Sequence, residues 1–425
     1  MFKLKNWTRI DSWSFISFAL GMFLEAYIFG MASIATTWVT IPLFLKSLLL
    51  SWSPIWLIVG IAFAGPLADK FGRKNVFYAT MAIYAVGAIG IVFSYSYYLI
   101  LIFLALLLLA AGGEMNTIMV FTHEIMPSEH RSSAMLLEVD FISIGGLVLA
   151  LVSFSTAYSS IMFQRLMIGI TMLIVLAILA IARSKIPESF LWLASRGNKE
   201  QARNDTIKYY GNSTYLTRTN NGKYLENEDI EKIKKLPLKL FAAITMAFAD
   251  GVGFGLVAYV LGPIYFEKYT ALILLVASIA GAFAGLIGFL GSRIGRKSML
   301  LYGYTGAFIV TLLTYATIRT WTTYLIFFWL IVIAVNAFIS IAYVSEEAYK
   351  SEIWDTRHRA SFTALIRFTS AAAYIVVIYT TASLSLNSYI LFNIFVWAVG
   401  VIGAASWYVF GYETGKNIPV EEINA

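Results

Sequence analysis

Cysteine is absent from the 425 residues, which excludes disulfides, thiol catalysis and cysteine-ligated metal. Charge is scarce too: Asp, Glu, Lys and Arg make up 13% of the chain, where a soluble domain carries about 25%. Histidine occurs only three times, as His123, His130 and His358, all between apolar runs. No nucleophile or metal-binding constellation surrounds them, which argues against an enzyme and gives no reason to expect a cofactor. The first apolar run has no small-residue cleavage site and is too long for a signal peptide, so it is expected to remain as a membrane anchor.

What the chain has in quantity is apolar residues, at 59%, with a mean hydropathy of +0.76. They fall into twelve stretches of spanning length, beginning near Trp13, Leu48, Val76, Tyr97, Ser133, Ile161, Leu238, Tyr269, Ser298, Trp321, Ala360 and Ser388. A polar interruption divides them six and six. The expected organisation is an all-α membrane protein with a six-helix bundle over 1–184, a linker with two short solvated helices over 185–237, and a second bundle with a short tail over 238–425.

The formal charge of +7 is a topological signal. With the N-terminus inside, 26 of the 31 Lys and Arg fall in terminal segments or even-to-odd loops; the exceptions are Lys46, Arg165, Lys268, Arg319 and Arg367. That bias predicts cytoplasmic termini in a plasma membrane, with the lipid bilayer rather than nucleic acid as partner.

The two sets of six repeat each other. Gly65–Lys74 reads GPLADKFGRK, and Gly288–Lys297 in the second set reads GFLGSRIGRK. Glu124 is followed at the seventh position by Arg131, and Glu352 is followed at the same distance by Arg359. The step from Gly65 to Gly288 nearly equals the step from Glu124 to Glu352. Two unrelated motifs at nearly one offset indicate duplication, the arrangement a rocking transporter uses around a site between its halves. In the first loop, Gly65 and Gly72 allow close backbone approach and positive φ. Asp69 is placed to pair with Arg73 or Arg131, or to face a helix N-terminus of the other half. These residues, with Glu124 and their counterparts Gly295, Arg296, Glu352 and Arg359, form a candidate cytoplasmic gate.

Ionisable residues inside spans are expensive in hydrocarbon and mark functional sites. Glu25 in FLEAYIFG and Asp250 in FADGVGFG are separated by nearly the same step as the loop motifs, and each sits near the middle of its span. A pair of carboxyls facing one cavity suits proton exchange, because burial favours the neutral form and a second carboxylate reinforces that preference. Gly251, Gly253 and Gly255 make the Asp250 helix a candidate for bending. Glu114, Glu138, Asp140 and Arg367 are further candidates; the last three lie at matching depth and suggest an ion pair between the halves. Most aromatic residues belong to interfacial belts. Five acids against the single base Arg367 disfavour a multivalent anion and suit a neutral or weakly charged metabolite, or a cation.

The GPLADKFGRK loop and its copy resemble the signature loops of the major facilitator superfamily. The Glu124–Arg131 spacing and Pro187–Leu193, PESFLWL, resemble its sugar-porter and organic-ion branches. The likeness covers the whole chain and implies twelve helices in two pseudo-symmetric bundles. It implies a monomeric secondary transporter whose partners are protons and a small organic metabolite. The seventh span lacks the QLS-type run with which hexose porters hold sugar, and Ser292 replaces the acid found at Asp69. The reading is a proton-coupled symporter of a sugar-like or organic-acid compound, with a proton-driven antiporter of organic cations or drugs as the alternative and a non-transporting sensor as the third. Cysteines introduced in the loop around Ser94 and in the loop around Gly211 are expected to label from opposite sides of the membrane; labelling from one side contradicts the topology.

Overall fold

The computed structural model describes residues 7–126, 130–210, 228–290, 293–354 and 359–415. Among the described residues every regular element is helical, and twelve helices are long and apolar enough to cross a membrane. The first six are α1 (Arg9–Ala35), α2 (Leu43–Phe71), α3 (Arg73–Val92), α4 (Tyr97–Ile125), α5 (Arg131–Ser155) and α6 (Ile161–Lys185). Two short helices follow, α7 (Phe190–Ser195) and α8 (Lys199–Tyr210). The seventh span is α9 (Glu228–Gly255), a π-helical turn over Leu256–Val260, and α10 (Leu261–Tyr265). The remaining spans are α11 (Thr270–Gly285), α12 (Arg296–Ala316), α14 (Leu325–Glu352), α15 (Arg359–Thr381) and α16 (Leu386–Phe410), with short α13 (Ile318–Thr323) between α12 and α14. An even number of crossings brings both ends of the chain to one face, called here the terminal face.

Local chemistry sets several starts. Thr8 and Asp11 form a reciprocal capping box at α1, and the Ser96, Ser160 and Ser385 hydroxyls accept the orphan N–H groups that open α4, α6 and α16. Two expectations need correction. The second solvated helix is not separate: Glu228 to Leu236 continues through Pro237 into the seventh span as α9. Gly65 is not in a loop: α2 runs on to Phe71, and the connection to α3 is Gly72 alone, at φ 94°. Only this glycine of the pair uses the left-handed region, and a Cβ there would also meet Glu188. Its counterpart Gly295 is extended, at φ −68°.

The spans pack where small residues let backbones meet, as expected when lipid supplies no hydrophobic force between helices. A Cβ on Gly112 of α4 would overlap the Leu57 carbonyl oxygen of α2, and one on Gly60 would overlap that of Leu109. Between the two sets of six, α5 packs along α11 and α2 along α15. Gly146 meets Ser278, Gly281 meets Ser143, and Gly285 meets Asp140 down the α5–α11 seam. The π-helical turn follows directly on Gly251, Gly253 and Gly255, so the irregularity expected in the seventh span lies just past its glycines. Replacing Gly112 by Val should lower the melting temperature in detergent and cost about 1–3 kcal/mol or more, because backbone rather than a movable side chain blocks the new methyls. Unchanged melting would contradict the close approach.

Candidate functional site

A cavity of about 110 Å³ lies where α1, α2, α4 and α5 face α9, α14 and α15. Glu25 of α1 and Asp250 of α9 both line it, 6% and 2% exposed. Arg367 of α15 lines it too, so three of the six predicted cavity residues meet here.

Two further lining residues, Glu347 and Lys350 of α14, are not among those the sequence reading selects, nor is Glu346 beside them. The Lys350 ammonium lies 2.8 Å from Glu346 and 2.6 Å from Glu347, and the Arg367 guanidinium 2.5 Å from Glu347. All four are buried. Arg367 thus pairs within the last six spans, not with Glu138 or Asp140 of α5, which corrects the expected ion pair between the halves. The missed signal is the string SEEAYK: acids three and four residues ahead of a lysine share one helix face.

Among the described residues Glu25 and Asp250 have no such salt bridge. Glu25 Oε2 and Asp250 Oδ1 are buried and take no hydrogen bond among the described residues. Aromatic rings close one side of the cavity. Tyr374, Phe29, Tyr259, Phe254 and Tyr343 form a continuous wall, with successive ring centroids 6.5, 5.1, 5.4 and 5.9 Å apart. Phe29 comes from α1 and the other four from the last six spans, so the wall crosses the seam. Gly255 makes room for it: a Cβ there would run into the Tyr374 ring.

The other three predicted residues lie elsewhere. Glu114 is sealed inside the first six spans, its carboxylate held by Arg183 at 2.6 and 2.7 Å and by the Thr80 hydroxyl at 2.5 Å. Glu138 accepts from the Thr122 hydroxyl at 2.7 Å, and Asp140 faces Gly285 in the α5–α11 seam. Arg183 reads as a loop cation in the sequence because α6 extends further than its apolar run.

At the terminal face the duplicated motifs become duplicated contacts. Arg73 donates to Glu124 at 3.3 Å, and Arg296 grips Glu352 with two bonds of 3.1 and 2.6 Å. Burial pushes the Glu124 carboxyl above its ordinary range, with Arg73 opposing. Glu188 accepts the Arg73 and Lys74 backbone N–H groups at the start of α3, and Glu413 accepts that of Arg296 at the start of α12. Lys74 donates to the Ile186 carbonyl and Lys297 to that of Gly411, both at 2.9 Å. Glu413 is not among the expected gate residues, although Tyr412–Thr414, YET, stands in the second set where Pro187–Ser189, PES, stands in the first. Arg131 donates to the Met126 carbonyl at 3.4 Å. The Gly65 and Asp69 positions fall in α2 and Arg359 opens α15, but the surroundings of these three lie outside the described residues, as does Ser292.

Contacts join the two sets of six on both sides of the cavity. At the terminal face Arg296 donates to the Ser132 hydroxyl at 3.1 Å. At the opposite face Lys46 bonds Glu267 at 3.0 Å, Ser51 meets the Tyr379 hydroxyl at 3.0 Å, and Ser33 donates to the Tyr259 carbonyl at 3.2 Å.

Twelve spans in two sets of six, with a central cavity on their seam, form the major facilitator fold. The proton:xylose symporter XylE, bound to 6-bromo-6-deoxy-D-glucose, superposes with a TM-score of 0.77 at 18% identity over 97% of both chains. The inward-open xylose transporter XylE from E. coli gives 0.72 at 18% identity over 97% of this chain and 99% of that one. The chain belongs to the "Sugar (and other) transporter" family, whose model matches residues 42–425. It is 34% identical to the glucose transporter GlcP of Staphylococcus epidermidis over 193 residues, 44% of this chain and 43% of that one. The putative metabolite transport protein YwtG of Bacillus subtilis is 26% identical over 78% of this chain and 76% of that one. The D-xylose transporter of Levilactobacillus brevis is 31% identical over 44% and 41%.

The fully buried Glu114–Arg183 pair sets a stability test. Glu114→Gln strands the guanidinium and should cost about 3–5 kcal/mol, read as a large fall in melting temperature. A variant that melts like the wild type would contradict a desolvated pair.

Proposed function

We propose that the chain is a proton-coupled symporter of a small organic metabolite, working by alternating access with both termini on the cytoplasmic face of the plasma membrane. The observation that carries this reading is the meeting of Glu25 and Asp250, one from each set of six, in a single cavity where each keeps an unpartnered carboxyl oxygen. Cavity carboxyls outside any salt bridge among the described residues are placed to load and release a proton as access changes. Two carboxyls let one carry the proton while the other meets the metabolite. The neighbouring Glu346–Lys350–Glu347–Arg367 network joins two acids to two bases by salt bridges, and Glu25 and Asp250 stand outside those bridges.

Alternating access is supported by the seam. Lys46–Glu267 and Ser33–Tyr259 close one side and Ser132–Arg296 the other, and rocking would break them in turn. In this reading Arg73, Glu124, Arg296 and Glu352 brace the cytoplasmic gate, and the sequence places Asp69 among them. Family membership and relatives that transport glucose and D-xylose support the metabolite class. Exchange of protons for an organic cation is the second reading, favoured by the excess of carboxyls in the cavity.

An inward gradient of about one pH unit stores about 1.4 kcal/mol per proton and supports about tenfold accumulation. Glu25→Gln or Asp250→Asn should abolish that accumulation in proteoliposomes while substrate exchange across the membrane survives. Should both single variants accumulate substrate like the wild type, the pair is structural and the coupling assignment falls.

A further inference from the structure

We propose that the cavity is built for a metabolite bearing one positively charged nitrogen, held by Glu25 and Asp250 against the aromatic wall. The proposal rests on reading this cavity as the transport site, and it holds for either sense of proton coupling.

Charge balance carries the argument. Lys350 is shared between Glu346 and Glu347, and Arg367 is bonded to Glu347. Two bases and two acids therefore cancel within contact distance. Glu25 and Asp250 line the same cavity as Glu347, Lys350 and Arg367 of this network. What the network leaves over is two buried carboxyls, Glu25 Oε2 and Asp250 Oδ1 still lacking a donor. An anion would have to compete with the three ion pairs of Lys350 and Arg367 and then face both carboxyls. A cation supplies what they lack.

The aromatic lining adds to this. No Asn or Gln lines the cavity among the described residues, and its hydroxyls are those of Ser370 and of the wall tyrosines Tyr259, Tyr343 and Tyr374. The Ser370 hydroxyl is already committed to the Ala247 carbonyl at 2.6 Å. The wall from Tyr374 to Tyr343 presents aromatic rings, and ring faces attract ammonium groups, alkylated ones above all. Carboxyl and ring come from both sets of six, so a bound cation would contact both halves at once.

The test uses pairs of probes that differ only in charge, with the full chain in nanodiscs at neutral pH. Choline is compared with its uncharged carbon isostere 3,3-dimethyl-1-butanol, glucosamine with glucose, and nicotinate serves as an anion. Calorimetric Kd values should favour the ammonium member of at least one pair by about tenfold or more. Glu25→Gln and Asp250→Asn should bring that ratio towards one while melting as folded protein. If either variant fails to fold, the wild-type ratio decides alone. Equal or tighter binding of the neutral isosteres, tighter binding of nicotinate, or no ammonium compound binding at millimolar concentration overturns the proposal. Ammonium-selective binding without proton-linked flux would uphold this site and contradict the symport reading. Proton-linked glucose uptake with no ammonium preference would do the reverse.

Discussion

Carboxyl groups deep in a helical membrane protein are costly, and this chain places several of them in its cavity and the helices around it. The structure resolves that cost differently from site to site. Glu114 is neutralised by Arg183, so tightly that the pair acts as a pin between α4 and α6. Glu346 and Glu347 are neutralised by Lys350 and Arg367, which ties α14 to α15. On α5, Glu138 is met by the Thr122 hydroxyl and Asp140 is set into the seam against Gly285. In the cavity itself, Glu25 and Asp250 take part in no salt bridge among the described residues. The rest of the architecture depends on that pair, because unpaired carboxyls there are tolerated only if water, protons or a cation can reach them. A cavity on the seam between the two sets of six is where the proposed access would open.

The seam and the terminal face serve the same end. Glycine and serine along α5 and α11 let the halves lie backbone against side chain without interlocking bulky groups, a surface suited to rolling. The terminal face is stiff by contrast. Each set of six ties the start of its third helix to the end of its fourth through an arginine–glutamate pair, and to the segment after its sixth through a glutamate cap and a lysine. Within a half these bonds hold three helices as one body. Between halves, the hydrogen bonding there among the described residues is the Ser132–Arg296 contact. Rigid halves with a sparse junction are what rocking requires.

Much of this is legible in the sequence. The spacing of apolar runs yields twelve spans, and the recurrence of GRK and of Glu to Arg yields the duplication. The equivalence of Glu25 and Asp250 follows from FLEAYIFG against FADGVGFG, and the cavity brings both residues to one place. The failures share a physical cause. A hydropathy reading ends a span at its first charge, yet α14 runs on past Glu346, Glu347 and Lys350 and α6 past Arg183, because partners bury those charges within the bundle. Counting them as loop residues hides half of the cavity's electrostatics. Arg367 is then matched to Glu138 and Asp140 by depth, since depth is what a repeat alignment supplies. Its partner in the structure lies on a neighbouring helix, and helix adjacency is not written in one sequence.

Glu25 and Asp250 are the proposed path by which protons cross with the metabolite. The direct measurement is the ratio of protons to metabolite moved, read with a pH dye inside proteoliposomes and a labelled compound that the wild type takes up. The wild type should move a fixed number of protons per molecule. One single variant, Glu25→Gln or Asp250→Asn, should still exchange the compound while moving no protons. A wild-type proton-to-metabolite ratio in both single variants would contradict the proton-carrier assignment.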